Sequence, residues 1–188
     1  MKNLIAISAP SGTGKSTLCE EIRRKKSQIK FSVSCTTRPK RNYEIDGVNY
    51  HFLTNNEFIE KMENDEFVEY EKVHGYYYGT LNYTIKNAIR SKEFMLFDVD
   101  VNGAMSIKKK YPNNTLTIFI LPPSIQDLKM RLINRGTESE ERINKRLERT
   151  SEEMKFKDKF DTFMINDDLS SAINKLNEII TNQNQGVA

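Results

Sequence analysis

The sequence predicts an α/β protein: a doubly wound parallel sheet, a small antiparallel lobe inserted into it, and a separate arginine-rich helical segment. Three observations carry this. Short aliphatic runs recur along the chain and end in turn residues, helical patterns follow them, and residues 33–83 and 135–149 break that rhythm. Continuous apolar runs of this kind, three to six residues long, suit strands covered on both faces, as in a parallel sheet.

The first run, Leu4-Ile5-Ala6-Ile7, ends at Ser8-Ala9-Pro10-Ser11-Gly12, and a helix is predicted over 16–26 with Leu18 and Ile22 one turn apart. From residue 33 to about 83 the chain is rich in Tyr, Gly, Asn and charge. Alternating segments such as Phe67 to Val73 predict the antiparallel lobe, with one helix near Glu57 to Asn64. Phe94-Met95-Leu96-Phe97 is the next run and ends at Asp98-Val99-Asp100. Leu116 to Leu121 comes next and ends at Pro122-Pro123, then a helix over 124–134 carrying Ile125, Leu128 and Leu132. Residues 135–149 are almost purely charged and read as a helix laced with Glu–Arg pairs. Phe163-Met164-Ile165 is the last run. A final helix over 169–180 places Leu169, Ile173, Leu176 and Ile180 on one face. Strand–helix alternation of this kind is the pattern of a doubly wound core.

The length of 188 residues suits one domain, at roughly 100–200 residues each. The formal charge of +3 is too mild to point to nucleic acid. No stretch approaches the roughly 18–20 apolar residues of a membrane span, and the N-terminus lacks the apolar region and cleavage site of a signal peptide. Cys19 and Cys35 are the two cysteines, neither within a ligand cluster, so neither a disulfide framework nor a zinc site is expected and a cytoplasmic setting is. Oligomeric state is left open.

Residues 9–16, Ala-Pro-Ser-Gly-Thr-Gly-Lys-Ser, form a P-loop pattern with Ala9 where the first Gly usually stands. A strand precedes it and a helix succeeds it. Gly12 and Gly14 allow turns that aim backbone N–H groups at phosphate oxygens, and the helix adds its positive dipole end. Lys15 supplies a cation for the β- and γ-phosphates, and Ser16 a hydroxyl for Mg²⁺. This names a nucleoside triphosphate but no acceptor. Downstream, Ser34-Cys35-Thr36-Thr37-Arg38-Pro39-Lys40-Arg41 sets two arginines after a hydroxyl-rich turn, and arginine forks suit phosphate dianions. Tyr50 and Tyr76 to Tyr78 add phenols in the same region, with Gly79-Thr80 directly after them.

With these motifs together, the chain resembles the guanylate kinases. The resemblance runs from Leu4 to about Ile180. It rests on the loop from Ser8 to Thr17, on Phe31 to Arg38, Asp46 to Phe52, Gly75 to Thr80, Asp98 to Gly103, Arg135-Gly136-Thr137 and Ile165 to Asp168. It implies a P-loop core at 1–32, 84–134 and 150–188, a GMP-binding lobe at 33–83 and a lid at 135–149. It also implies transfer of a phosphoryl group from ATP to GMP, giving ADP and GDP, with Mg²⁺. ATP and GMP are the implied partners, with neither nucleic acid nor membrane.

Residue by residue, the resemblance assigns Ala9, Pro10, Ser11, Gly12, Thr13, Gly14, Lys15, Ser16 and Thr17 to ATP, with Arg135 closing on its phosphates and Asn166 near the adenine. It assigns Arg38, Arg41, Tyr50 and Tyr78 to the GMP phosphate, and Ser34, Glu69, Thr80 and Asp100 to the guanine. The family more often has Ser where Thr80 stands. Lys15, Arg41, Arg135 and Arg146 would carry the charge of the transfer, and Asp98 would reach Mg²⁺ through water. Arg131 is a weaker companion of the lid arginines.

Plainer roles compete for some of these. Tyr76 reads as strand packing, Arg142 and Arg149 as surface charges, and Asp98 and Asp100 could cap the next helix. His51 and His74 have no chemical partner in view. Two other functions use the same scaffold: phosphorylation of ribose 1,5-bisphosphate, which would need no guanine acceptors, and a non-catalytic phosphopeptide-binding module, which would not need Lys15, Ser16, Arg135 and Arg146 together.

Overall fold

The structure is a computed structural model that describes residues 2–73, 75–134 and 139–185. In chain order the elements are β1 (Leu4–Ser8), α1 (Lys15–Lys25), β2 (Ile29–Phe31), β3 (Cys35–Thr36), β4 (His51–Phe52), α2 (Asn55–Glu63), β5 (Phe67–Val73) and β6 (Tyr76–Leu81). The chain continues through α3 (Asn82–Ser91), β7 (Phe94–Asp98), α4 (Val101–Lys110), β8 (Thr115–Leu121), α5 (Ile125–Asn134), α6 (Glu140–Met154), β9 (Thr162–Ile165) and α7 (Leu169–Gln185).

Five strands form a parallel sheet in the order β2-β7-β1-β8-β9. Alternation along β1 splits the core into two layers. Ile5 and Ile7 join Leu18, Ile22, Ile173 and Leu176 beneath α1 and α7, while Leu4 and Ala6 join Ile85, Phe97, Ala104 and Ile107 beneath α3 and α4. The expected burial on both faces holds for β1 and for β8, whose seven residues are all buried. It fails for β9, where Met164 is buried but Phe163 and Ile165 are 49% and 53% exposed. As an edge strand, β9 is covered by helix on one face alone, so its apolar run reflects position only in part. Strand β2 has no counterpart in the sequence reading: three residues with Lys30 in the middle carry too short an apolar signal.

The second sheet has the order β4-β3-β6-β5. Its β3–β6 and β6–β5 pairs are antiparallel, as expected of the lobe, and β4 adds a two-residue parallel pairing with β3. A small core of Cys35, Phe58, Phe67 and Leu81 joins the sheet to α2. Phe58 stacks on Phe67 at 4.4 Å and on Tyr77 at 5.2 Å. Gly79 makes room for this, because a Cβ there would lie 2.9 Å from Phe67. Alternation along β6 therefore turns Tyr77 to the lobe core, while Tyr78 meets Tyr50, ring to ring at 5.9 Å. Tyr76, read as strand packing, is 38% exposed. Helix α2 opens on a reciprocal cap: Glu57 N donates to Thr54 Oγ1, and Thr54 N donates to Glu57 Oε2 at 2.7 Å.

This topology positions the polar groups. The carboxyl ends of the neighbouring strands β1 and β7 point the P-loop and Asp98 to the same end of the sheet, where open α/β sheets bind their ligands. Helix α6 is the charged segment of the sequence, and it runs past Arg149 to Met154. Arg135, Gly136, Thr137 and His74 lie outside the described residues.

Candidate active site

The P-loop is shaped by two glycines with φ of +93°. Side chains are excluded there twice over. A Cβ on Gly12 would lie 2.8 Å from Leu132 of α5, and one on Gly14 would lie 2.6 Å from Asn166 Nδ2. Asn166 is buried and donates from Nδ2 to Thr13 O at 2.6 Å, so it supports the loop from behind. Arg131 grips the same corner, donating to Asn166 O and Asp167 O at 2.9 and 3.0 Å. Its guanidinium is thus committed to backbone rather than turned to the loop's open side.

On that side, Lys15 pairs with Asp98 and donates to Val99 O at 2.9 Å. Ser16 Oγ donates to the other Asp98 oxygen at 3.2 Å. The Arg146 guanidinium donates from Nε to Ser11 Oγ at 3.2 Å, which brings α6 onto the loop. Ser11, Lys15, Ser16 and Asp98 form one end of a cleft of ≈ 470 Å³. The lobe residues Ser34, Tyr50, Glu69 and Tyr78 line it too, and so does Asp100 at the start of α4. The sequence separates these groups by up to 89 positions, and the fold brings them into one space.

The lobe end is built for a hydrogen-bonding ligand. Asp100 is the helix cap that one reading of the sequence offers. Its Oδ1 caps α4, accepting from Gly103 N at 2.7 Å, while its Oδ2 is buried with no partner. Thr80 Oγ1 is likewise buried and unpartnered, directly across the strand pair from Glu69. Gly103 lets the two acids approach, since a Cβ there would lie 3.0 Å from Glu69 Oε2 and from Asp100 Oδ1. Burial pushes the Glu69 carboxyl up to about 7; the charge of Asp100 adds to this, and the polar groups of Thr80 partly offset it. Of the two unpartnered atoms, Asp100 Oδ2 belongs to a residue that lines the cleft, where it is open to a hydrogen-bond donor of a ligand.

The chain matches the guanylate kinase family profile over residues 1–183. It belongs to the guanylate kinase family. It is 42% identical to a guanylate kinase of Thermotoga maritima over 180 residues, 96% of this chain and 86% of that one. It is 44% identical to a guanylate kinase of Porphyromonas gingivalis over 182 residues, 96% of this chain and 97% of that one. Among solved structures, a guanylate kinase from Anaplasma phagocytophilum superposes with a TM-score of 0.77 at 24% identity, over 96% of this chain and 85% of that one, which shows the fold.

The arginine pair of this guanylate kinase lies at the rim of the lobe and reveals a residue that sequence reasoning missed. Glu44 is 6% exposed, and its carboxylate clasps Arg38 with two bonds, at 2.6 and 3.0 Å. It also accepts from Arg41 N at 2.8 Å. The Arg38 guanidinium, pressed against the Tyr50 and Phe52 rings, keeps Glu44 below the usual carboxylate range. The Arg41 guanidinium itself is exposed and donates to Tyr43 Oη at 2.8 Å. The signal that could have found Glu44 was an acid six residues after Arg38 in a segment otherwise exposed. Replacing Glu44 with Ala frees both arginines from their settings. The expected result is a KM for GMP raised about tenfold or more with kcat changed much less, read from steady-state kinetics.

Both cysteines are buried thiols; burial pushes Cys35 up to about 12 and raises Cys19 further. No described helix is long and apolar enough to cross a membrane, and no group of three metal-ligating side chains occurs among the described residues.

Proposed function

We propose that this protein transfers the γ-phosphoryl group of ATP to the phosphate of GMP, giving ADP and GDP, in a cytoplasmic setting. The observation that carries the reading is one cleft lined both by the P-loop residues Ser11, Lys15 and Ser16 and by the acids Glu69 and Asp100, the latter with an unpartnered buried oxygen. A phosphate oxygen of GMP attacks the γ-phosphorus, and the bond from that phosphorus to the β,γ-bridging oxygen breaks. The attacking oxygen is already ionised near neutral pH, so no general base is needed. What is needed is alignment and neutralised charge.

Residues 9–17 cradle the ATP phosphates, with backbone N–H groups at every position but Pro10. Asn166 serves ATP by holding the loop at Thr13 rather than by reaching outward. Lys15 leaves Asp98 for the transferring group, and Arg146, Arg41 and Arg135, the last outside the described residues, supply further positive charge. Ser16 Oγ and the Asp98 carboxylate are hard oxygen donors meeting at 3.2 Å beside the loop, a set that suits Mg²⁺ directly at Ser16 and through water at Asp98. When bound, Mg²⁺ neutralises charge on the ATP phosphates. Arg38, Arg41, Tyr50 and Tyr78 hold the GMP phosphate. Glu69 accepts the guanine N1–H and 2-amino protons, with Ser34, Thr80 and Asp100 completing the base site. The division into core, lobe at 33–83 and lid at 135–149 accords with these roles.

ADP release measured in parallel with GMP, AMP and ribose 1,5-bisphosphate tests the reading. GMP is expected to be turned over alone at a substantial rate; comparable turnover of either competitor would overturn it.

The raised Glu69 gives a pH signature. Glu69 must be ionised to accept two protons from guanine. With its carboxyl at about 7, kcat/KM for GMP is expected to fall about tenfold per unit on the acid side of that value. In Glu69→Gln that limb disappears, leaving the ionisation of the GMP phosphate itself at about pH 6. For stability the sign is opposite. A carboxyl raised in the folded state binds protons more tightly there, so its contribution is complete below the ordinary carboxylate range and is lost as pH rises through about 7. A pH–rate profile identical in parent and Glu69→Gln would refute the assignment.

A further inference from the structure

The sequence reads Arg149 as a surface charge on the lid helix. Its side chain is 44% exposed, and it also stands between two carboxylates on different elements. Its Nε donates to Glu153 Oε1 at 2.9 Å, one turn along α6, and a terminal nitrogen lies 3.7 Å from Glu71 Oε1 on β5. Glu71 is two residues from Glu69 on the same face of β5, and both line the cleft. One turn back along α6, Arg146 rests on Ser11 of the P-loop. A single helix thus touches the phosphate loop with one arginine and the guanine strand with the next on the same face.

Resting on the proposed transfer to GMP, we propose that Arg149 is a positioning residue: by joining Glu71 to Glu153 it ties the helix carrying Arg146 to the strand carrying Glu69, so that seating the base and placing the lid arginine become one coupled event. The same strand cannot shift to meet guanine without moving Glu71, and Glu71 holds the guanidinium. Glu153 holds the other side through Oε1, with its side chain 12% exposed. The neighbouring Asp100 carboxyl and burial hold the Glu71 carboxyl above its usual range, Glu69 adding to this and Arg149 opposing it.

The test is the thermodynamic coupling between the two substrates. Calorimetry gives the Kd of a non-hydrolysable ATP analogue with and without GMP, in the parent, Arg149→Ala, Glu71→Gln and the double variant. GMP is expected to tighten the analogue in the parent. Each single variant is expected to reduce that tightening about three- to fivefold, the size of a partly exposed ion pair, and the double variant no further. An unchanged coupling factor in Arg149→Ala, or losses that add in the double variant, would overturn the proposal. A role in stability alone would lower the melting temperature and leave the coupling intact, which also overturns it. A parent protein that releases no ADP with GMP would instead remove the functional reading on which the proposal rests.

Discussion

Lys15→Ala is expected to lower kcat by about 10²–10³-fold or more while the protein stays folded, because the lost cation faces charge that develops only in the transition state. The structure adds a second consequence. Lys15 is the ion-pair partner of Asp98, whose side chain is 20% exposed, and it also donates to Val99 O. Removing it leaves Asp98 with Ser16 as its hydrogen-bonding neighbour. A modest loss of stability, about 1–2 kcal/mol for an incompletely buried pair, should accompany the kinetic loss. Circular dichroism and a thermal melt separate the two effects. A folded Lys15→Ala protein with parental turnover would show that the P-loop is not the ATP site.

Glu69→Gln is expected to reduce kcat/KM for GMP at least tenfold, since an amide offers one acceptor where guanine presents two donors, and leaving a buried donor unpaired costs about 1–3 kcal/mol. The gap between GMP and AMP should narrow, because a site built on hydrogen bonds to the base draws its discrimination from them. Affinity for ATP should barely change, as Glu69 lies at the far end of the cleft from the loop. The check is kcat/KM for both monophosphates in parent and variant. If the variant separates GMP from AMP as well as the parent does, Glu69 is structural and Asp100, with its unpartnered Oδ2, becomes the leading acceptor.

Much of the site is legible in the sequence because its chemistry is local. A phosphate cradle needs glycines at fixed offsets, a lysine and a hydroxyl, all within one turn of chain. Gly12 and Gly14 occupy the left-handed conformations that this spacing implies. The core strands are legible too, since continuous aliphatic runs have few other uses. Where the sequence falls short, a partner distant along the chain decides the outcome. The exposure of Phe163 and Ile165 depends on β9 lying at the sheet edge, and strand order is not written in any one segment. The motif around Asn166 points to the adenine, and its burial behind Thr13 emerges only once β9 and the loop are adjacent.

The sequence by itself determined the class of fold and the glycine-lysine loop and, through resemblance, supplied the set of groups proposed for GMP. Those arise from periodicity and from residue types at short spacing, which local sterics and hydrogen bonding enforce. Only the tertiary structure decided which charges face one another. Glu44 clasps Arg38, Asp98 holds Lys15, and Arg149 reaches across from α6 to Glu71. Coulomb attraction acts on distance in space, and for Asp98 and Arg149 that distance is set by 83 and 78 residues of intervening fold rather than by any pattern along the chain.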